Sequence, residues 1–240
     1  MLNRLLATCL LAGLLAGLAI AALQHFVTTP LILAAEVYEV PEAPVTAAPA
    51  VVVPDHPGHT HPATADGVEW KPVDGWQRTA FTSLATIATS AGFSMILLAA
   101  MLLAGEQISA RTAFGWGVAA FVATGLAPAI GLAPLLPGSA AGPLLARQVW
   151  WVSTAVATGG GLWLLMRYAN LWGKVAGLAI LLAPHLIGAP HEAMFESRAP
   201  AELAARFVAA SLSVQAALWI VSGLMAGTLW VRFGQQQARG

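Results

Sequence analysis

The chain has 240 residues, 58% of them hydrophobic and only 9% charged, with 11 basic and 11 acidic side chains that cancel. A soluble domain usually carries about a quarter charged residues, and the mean hydropathy here is +0.73, so water is excluded as the main solvent. Zero net charge gives no basic field to attract nucleic acid, and a single cysteine, Cys9, excludes an internal disulfide or a cysteine-built metal centre within one chain.

A membrane-spanning helix needs about 20 mostly apolar residues, and six stretches approach or meet that length. The first runs from Leu5 to Phe26 behind the basic start Met1 to Arg4. Ala19-Ile20-Ala21 resembles a small-residue cleavage site, so a removed signal peptide is the alternative reading. Against it, the apolar run is long for a signal core, and Gly13 and Gly17 stand four apart, a spacing that lets helix backbones approach. Gly173 with Gly177 and Gly223 with Gly227 repeat that spacing. Cys9 reads as a small apolar helix residue.

Residues 27–78 form a large polar loop, rich in proline from Pro41 to Pro72, where low hydrophobicity and repeated proline argue for an extended tether without a packed core. Thr79 to Ala104 and Ala113 to Ala133 are the second and third spans. Val149 to Met166 and Leu171 to Ile187 follow, separated only by Arg167-Tyr168-Ala169-Asn170, which suggests a tight hairpin, or alternatively a re-entrant pair. Phe207 to Val231 is the sixth. The fold class is therefore all-α, a polytopic integral membrane protein of about six transmembrane helices in a single domain. Lys and Arg of the short flanks weigh toward both termini cytoplasmic and the loop periplasmic.

Three histidines, His56, His59 and His61, fall within six residues of the loop. Imidazoles on a flexible backbone can converge on a borderline divalent metal; the plainer reading is a solvated linker. A second group lies where helices meet the outer face: His25 closing the first helix, Glu36 and Glu39 after it, His185 near the end of the fifth, then His191 and Glu192. Ionisable residues at membrane depth are expensive and mark functional sites, although an interfacial histidine can simply anchor a helix end. Pro184 and Pro190 are expected to break the helix and free carbonyls there. Arg147-Gln148-Val149-Trp150-Trp151 reads as interfacial anchoring, and Glu106 with Arg111 as a solvated surface pair. No phosphate-cradling glycine loop, Walker-type lysine or His-Glu-x-x-His motif is present, so neither ATP hydrolysis nor zincin chemistry is expected.

The first helix running into Ala21 to Gln24, then Pro30-Leu31-Ile32 and Ala35-Glu36-Val37-Tyr38-Glu39, followed by the histidine loop, Trp70-Lys71-Pro72 and Asp74-Gly75-Trp76-Gln77-Arg78-Thr79, carries a family resemblance. It continues through Gly131-Leu132-Ala133-Pro134, Leu136-Pro137-Gly138, Arg147 to Trp151 and Pro184 to Pro190. In this order the pieces resemble the CbtA-type predicted cobalt transporters of bacteria. The resemblance implies an inner-membrane subunit of a cobalt uptake system, linked to cobalamin synthesis and paired with a small single-span, His-bearing partner of the CbtB type. The loop departs from the family in holding only three histidines, where relatives are often richer.

The expectation is thus a multi-pass component that moves a divalent metal, cobalt(II) or another, as cargo rather than as a resident cofactor. The path would run from His56, His59 and His61 to a vestibule near His25, Glu36, Glu39, His185, His191 and Glu192. The rivals are a metal-dependent integral-membrane enzyme acting through the same groups, and a metal-sensing or assembly subunit without a pore.

Overall fold

A computed structural model describes residues 2–38, 72–137, 139, 142–190 and 198–237. Among these residues the regular structure is helical, without strands. The helices are α1 (Leu2–Val27), α2 (Thr29–Glu36), α3 (Trp76–Leu103), α4 (Ala110–Phe121), α5 (Ala127–Gly131), α6 (Leu144–Arg167), α7 (Leu171–Ile187) and α8 (Ala201–Gln237), with a π-helical turn over Val122–Leu126 joining α4 to α5. Among the described residues five helices are long and apolar enough to cross a membrane: α1, α3, the continuous rod Ala110–Gly131, α6 and α8. The sixth apolar segment, α7, has 17 residues, about 26 Å at 1.5 Å per residue against a hydrocarbon core roughly 30 Å thick.

Several boundaries differ from the sequence reading for identifiable reasons. The polar loop does not begin at residue 27, because Thr29–Glu36 forms α2 with Pro30 in its first turn, where proline lacks only an N–H that the helix leaves unused. The fourth span begins at Leu144 rather than Val149, which gives it 24 residues and removes the doubt about its length. Pro184 does not break α7; it lies inside the helix, which runs on to Ile187. Trp150 is no interfacial anchor, being buried, whereas its neighbour Trp151 is exposed. The loop beyond Tyr38, with its histidines, lies outside the described residues.

Glycines set where helices meet. A Cβ built on Gly13 would stand 2.4 Å from the Ala91 Cα, and one on Gly17 would stand 2.5 Å from the Ile87 Cα, so both glycines are the seam between α1 and α3. Gly223 and Gly227 do the same for α8 against α4, where added Cβ atoms would meet the Ala113 carbonyl oxygen at 2.6 Å and the Ala113 Cβ at 2.6 Å. In the third pair only Gly177 serves a helix contact, facing Gly161 of α6, while Gly173 packs on Tyr168 and Asn170 beside its own helix start.

The main apolar core joins Cys9 and Ala12 of α1, Leu97, Leu98 and Met101 of α3, Ala113 of α4 and Trp219, Ala226 and Trp230 of α8. The α6–α7 hairpin packs on itself and reaches the rest mainly along the π turn and α5. Arg4 donates from Nε to the Trp230 carbonyl at 3.1 Å and lies over its ring, which puts the start of α1 beside the end of α8. Gly227 lies against Ser109 at the start of α4, so that point shares this end of the bundle. Arg4, Glu106, Arg111, Arg167 and Arg232 gather at the end with the termini; His25, Glu36, Asp74 and Arg78 lie at the other.

Candidate functional site

At the end remote from the termini, α1, α2 and the start of α3 enclose a cleft of about 270 Å³, lined among others by Gln24, His25, Asp74, Arg78, Thr82 and Ser83. The fold builds it from a one-residue bend at Thr28, whose hydroxyl donates to the Gln24 carbonyl, after which α2 runs toward the start of α8, with Ala35 packed near Ala199 and Leu203. Arg78 then ties the elements together. Its guanidinium donates to the Glu36 carboxylate of α2 and, at 3.1 Å, to Asp74 Oδ1 just before α3. Deeper in, the Thr86 hydroxyl donates to Gln24 Oε1 at 2.7 Å, which fixes the α1–α3 register below the cleft. His25 is exposed at the rim, edge-on to Phe26 with ring centroids 5.1 Å apart.

His185 has different surroundings. It lies in the last turn of α7, edge-on to Trp150 of α6 at 6.0 Å between centroids, and its Nε2 is buried with no hydrogen-bond partner. Trp150 Nε1 donates to the Pro184 carbonyl at 3.3 Å, so the tryptophan pins the helix turn that carries the histidine. His185 does not line the His25 cleft; the two histidines are held by different helix pairs. Glu39, His56, His59, His61, His191 and Glu192 lie outside the described residues. Among the described residues no three His, Cys, Asp or Glu side chains gather closely enough to hold a metal ion.

Two features were not legible from residue types alone. Arg78 already engages Glu36 and Asp74, so Glu36 is a committed carboxylate rather than a free ligand; Asp74-Gly75-Trp76-Gln77-Arg78 in the sequence, with acid and base at i,i+4, was the available signal. The second is the π turn. Pro128 stands four residues after Thr124 and has no N–H to give the Thr124 carbonyl, and the Gln215 side-chain amide of α8 lies 3.5 Å from that oxygen instead. Proline in an apolar run, with a glutamine inside the apolar stretch of the last span, marks such a place. π turns recur at functional positions in helices.

Thr124 also separates two larger grooves. One, of about 600 Å³, opens between α5, α6 and α8 and is lined by Pro128, Arg147, Gln148, Trp151 and Gln215. The other, of about 690 Å³, opens between α3, α4 and α6 toward the terminal end, where Glu106, Arg111 and Arg167 line it. Glu106 and Arg111 form no ion pair among the described residues, so the solvated pair read from the sequence is not present.

Comparison with known proteins follows this architecture along its length. No curated protein and no solved structure matches the chain. The family described as probable cobalt transporter subunit (CbtA) matches residues 2–231, from the first turn of α1 to within a few residues of the end of α8. The chain belongs to the CbtA family of probable cobalt transporter subunits.

Proposed function

We propose that the chain is the membrane-embedded subunit of a divalent-cation importer in the bacterial inner membrane, with cobalt(II) as cargo destined for cobalamin synthesis. Both termini are cytoplasmic in this reading, the His25 cleft faces the periplasm, and a small single-span, His-bearing subunit of the CbtB type completes the transporter. What carries the reading is the match of nearly the whole chain to a family of probable cobalt transporter subunits; the cleft lined by His25, Asp74 and Arg78, remote from the termini, is its candidate point of entry. The excess of Arg over acid at the terminal end supports the orientation.

Glu36 and Asp74 are held by a single arginine, so a dication arriving at the cleft competes with Arg78 for the same oxygens. His25 adds a nitrogen donor, and mixed nitrogen and oxygen ligands suit first-row divalent ions. His56, His59 and His61 raise the local cation concentration, and Glu39, His191 and Glu192 add donors near the mouth. His185 acts as a separate station on the α6–α7 hairpin. Weak successive sites are what transport requires, because an ion held tightly does not leave.

The test is radiolabelled cobalt uptake into vesicles containing the full chain with its partner subunit. Saturable uptake that falls in His25→Ala and in His185→Ala is expected. Replacing His56, His59 and His61 together by Ala should reduce uptake at scarce cobalt and leave it nearly unchanged at abundant cobalt. Uptake no greater than that of protein-free vesicles would overturn the proposal.

A further inference from the structure

The groove between α3, α4 and α6 stands open where the glycine seams of the bundle are closed. Its floor carries Gly115 on α4, and Gly159 lines it from α6; a Cβ at either would meet nothing within 4 Å. Of the other glycines on these two helices, Gly160 also meets open space, whereas Gly117 and Gly161 are pressed against the Trp219 and Gly177 backbones, with added Cβ atoms at 2.7 and 2.6 Å. Gly115 and Gly159 therefore keep a space open rather than closing one. Trp116 and Trp163, 6.1 Å apart between ring centroids, and Ile96, Leu162 and Met166 make the lining apolar.

The groove's length and charge specify its occupant. From Arg111 to Thr124 the floor spans 13 residues, about 20 Å at helical rise, which covers one leaflet, roughly half of a 30 Å hydrocarbon core. Its open end holds Arg111 and Arg167, both exposed and without an ion pair among the described residues, with Glu106 as the one acidic side chain beside them. Arg111 sits in the first turn of α4, where unpaired amides and the helix dipole favour an anion. An apolar trough one leaflet deep with two cations at headgroup level is complementary to a phospholipid with net negative charge. Basic pockets between transmembrane helices on the positively flanked side recognise such headgroups.

We propose that this groove is a binding site for one anionic phospholipid of the leaflet on the terminal side, with its phosphate between Arg111 and Arg167 and one acyl chain lying over Gly115 and Gly159 toward Thr124. The bound chain fills the space between α6 and α3, which share no seam of their own. The lipid thereby couples the hairpin to the rest of the bundle. This site is independent of the cargo and of the direction of transport.

The experiment measures lipids retained by the full-length protein in detergent containing equal phosphatidylglycerol and phosphatidylcholine, by native mass spectrometry. The expected result is a preference for phosphatidylglycerol that falls by on the order of tenfold in the Arg111→Gln, Arg167→Gln double variant. Arg147→Gln, at the opposite end, should leave the preference unchanged. Gly159→Leu should displace the retained lipid although both arginines remain. Because the lipid is read directly, loss of cobalt uptake leaves this measurement unaffected. Equal retention of the two lipids by the unaltered protein, or a preference that survives the double arginine change, would overturn the proposal. So would a dimer of this chain that dissociates on Gly159→Leu, which would make the groove a contact between copies.

Discussion

The bundle of α1, α3, α4 and α8 and the hairpin of α6 and α7 solve the same problem in different ways. In the bundle, Gly13, Gly17, Gly117, Gly223 and Gly227 bring backbones into contact, and buried side chains from all four helices share one cluster. The hairpin has an equally close internal seam at Gly161 and Gly177 but contributes no residue to that cluster. Along α7, Leu171, Trp172, Leu178, Leu186 and Ile187 are all exposed. Lipid is as apolar as these side chains, so exposure carries no hydrophobic penalty and association depends on close packing and hydrogen bonds. The bundle has many such contacts, and the hairpin is attached along one edge, through the π turn and α5. One region is a frame of four helices that pack on one another, and the other rests on that frame along a single edge.

The largest effect that would break this comparison comes from the frame. Gly17→Leu forces α1 away from Ile87 and should cost about 3 kcal/mol or more, read as a large drop in the melting temperature of the detergent-solubilised protein. Gly161→Leu creates a clash of the same size with the Gly177 carbonyl, 2.6 Å from the added Cβ. It should open the hairpin while the melting of the frame changes little. Equal, single-transition losses in the two variants would show that frame and hairpin are one cooperative unit.

A smaller effect probes the junction. Gln215→Ala removes the amide nearest the Thr124 carbonyl and should cost about 1 kcal/mol. Pro128→Ala restores an N–H that can close the ladder at that carbonyl, so Gln215→Ala should cost less in its background, by about 0.5 kcal/mol or more in a double-mutant cycle. Additive losses would mean that Gln215 and the π turn are not coupled.

At the far end, Arg78→Gln frees Glu36 and Asp74. With the Arg78 and Glu36 side chains 31% and 32% exposed, the change should lower overall stability by less than about 1 kcal/mol. It should nonetheless speed amide hydrogen exchange in α2 while leaving α3 protected, because Arg78 is what joins the two. The smallest effect is at Gly92, where an added Cβ meets open space. Gly92→Ala should be neutral or stabilising by up to about 1 kcal/mol, in contrast with its near neighbour Ala91 against Gly13, where any enlargement strikes the seam.

Much of this protein was determined by sequence alone, and for a physical reason. In hydrocarbon every backbone polar group must be satisfied within its own helix, so apolar runs of sufficient length declare themselves as helices, and Leu171 to Ile187 was read with both boundaries correct. The glycine pairs at 13 and 17 and at 223 and 227 were legible as close-packing positions because only a missing Cβ allows such approach. The order of short motifs carried the family. Tertiary structure decided what depends on a partner helix. That Gly173 faces its own helix start, that Trp150 is buried under Pro184, and that Pro128 leaves a carbonyl for Gln215 follow from neighbours distant in the chain. The same holds for the candidate site. Residue types marked His25, Glu36 and His185, but only the packing put Arg78 across Glu36 and Asp74 and gave the two histidines to separate helix pairs. One-dimensional spacing fixes depth along a helix, whereas the direction a side chain faces is set by which helices meet and at what closeness.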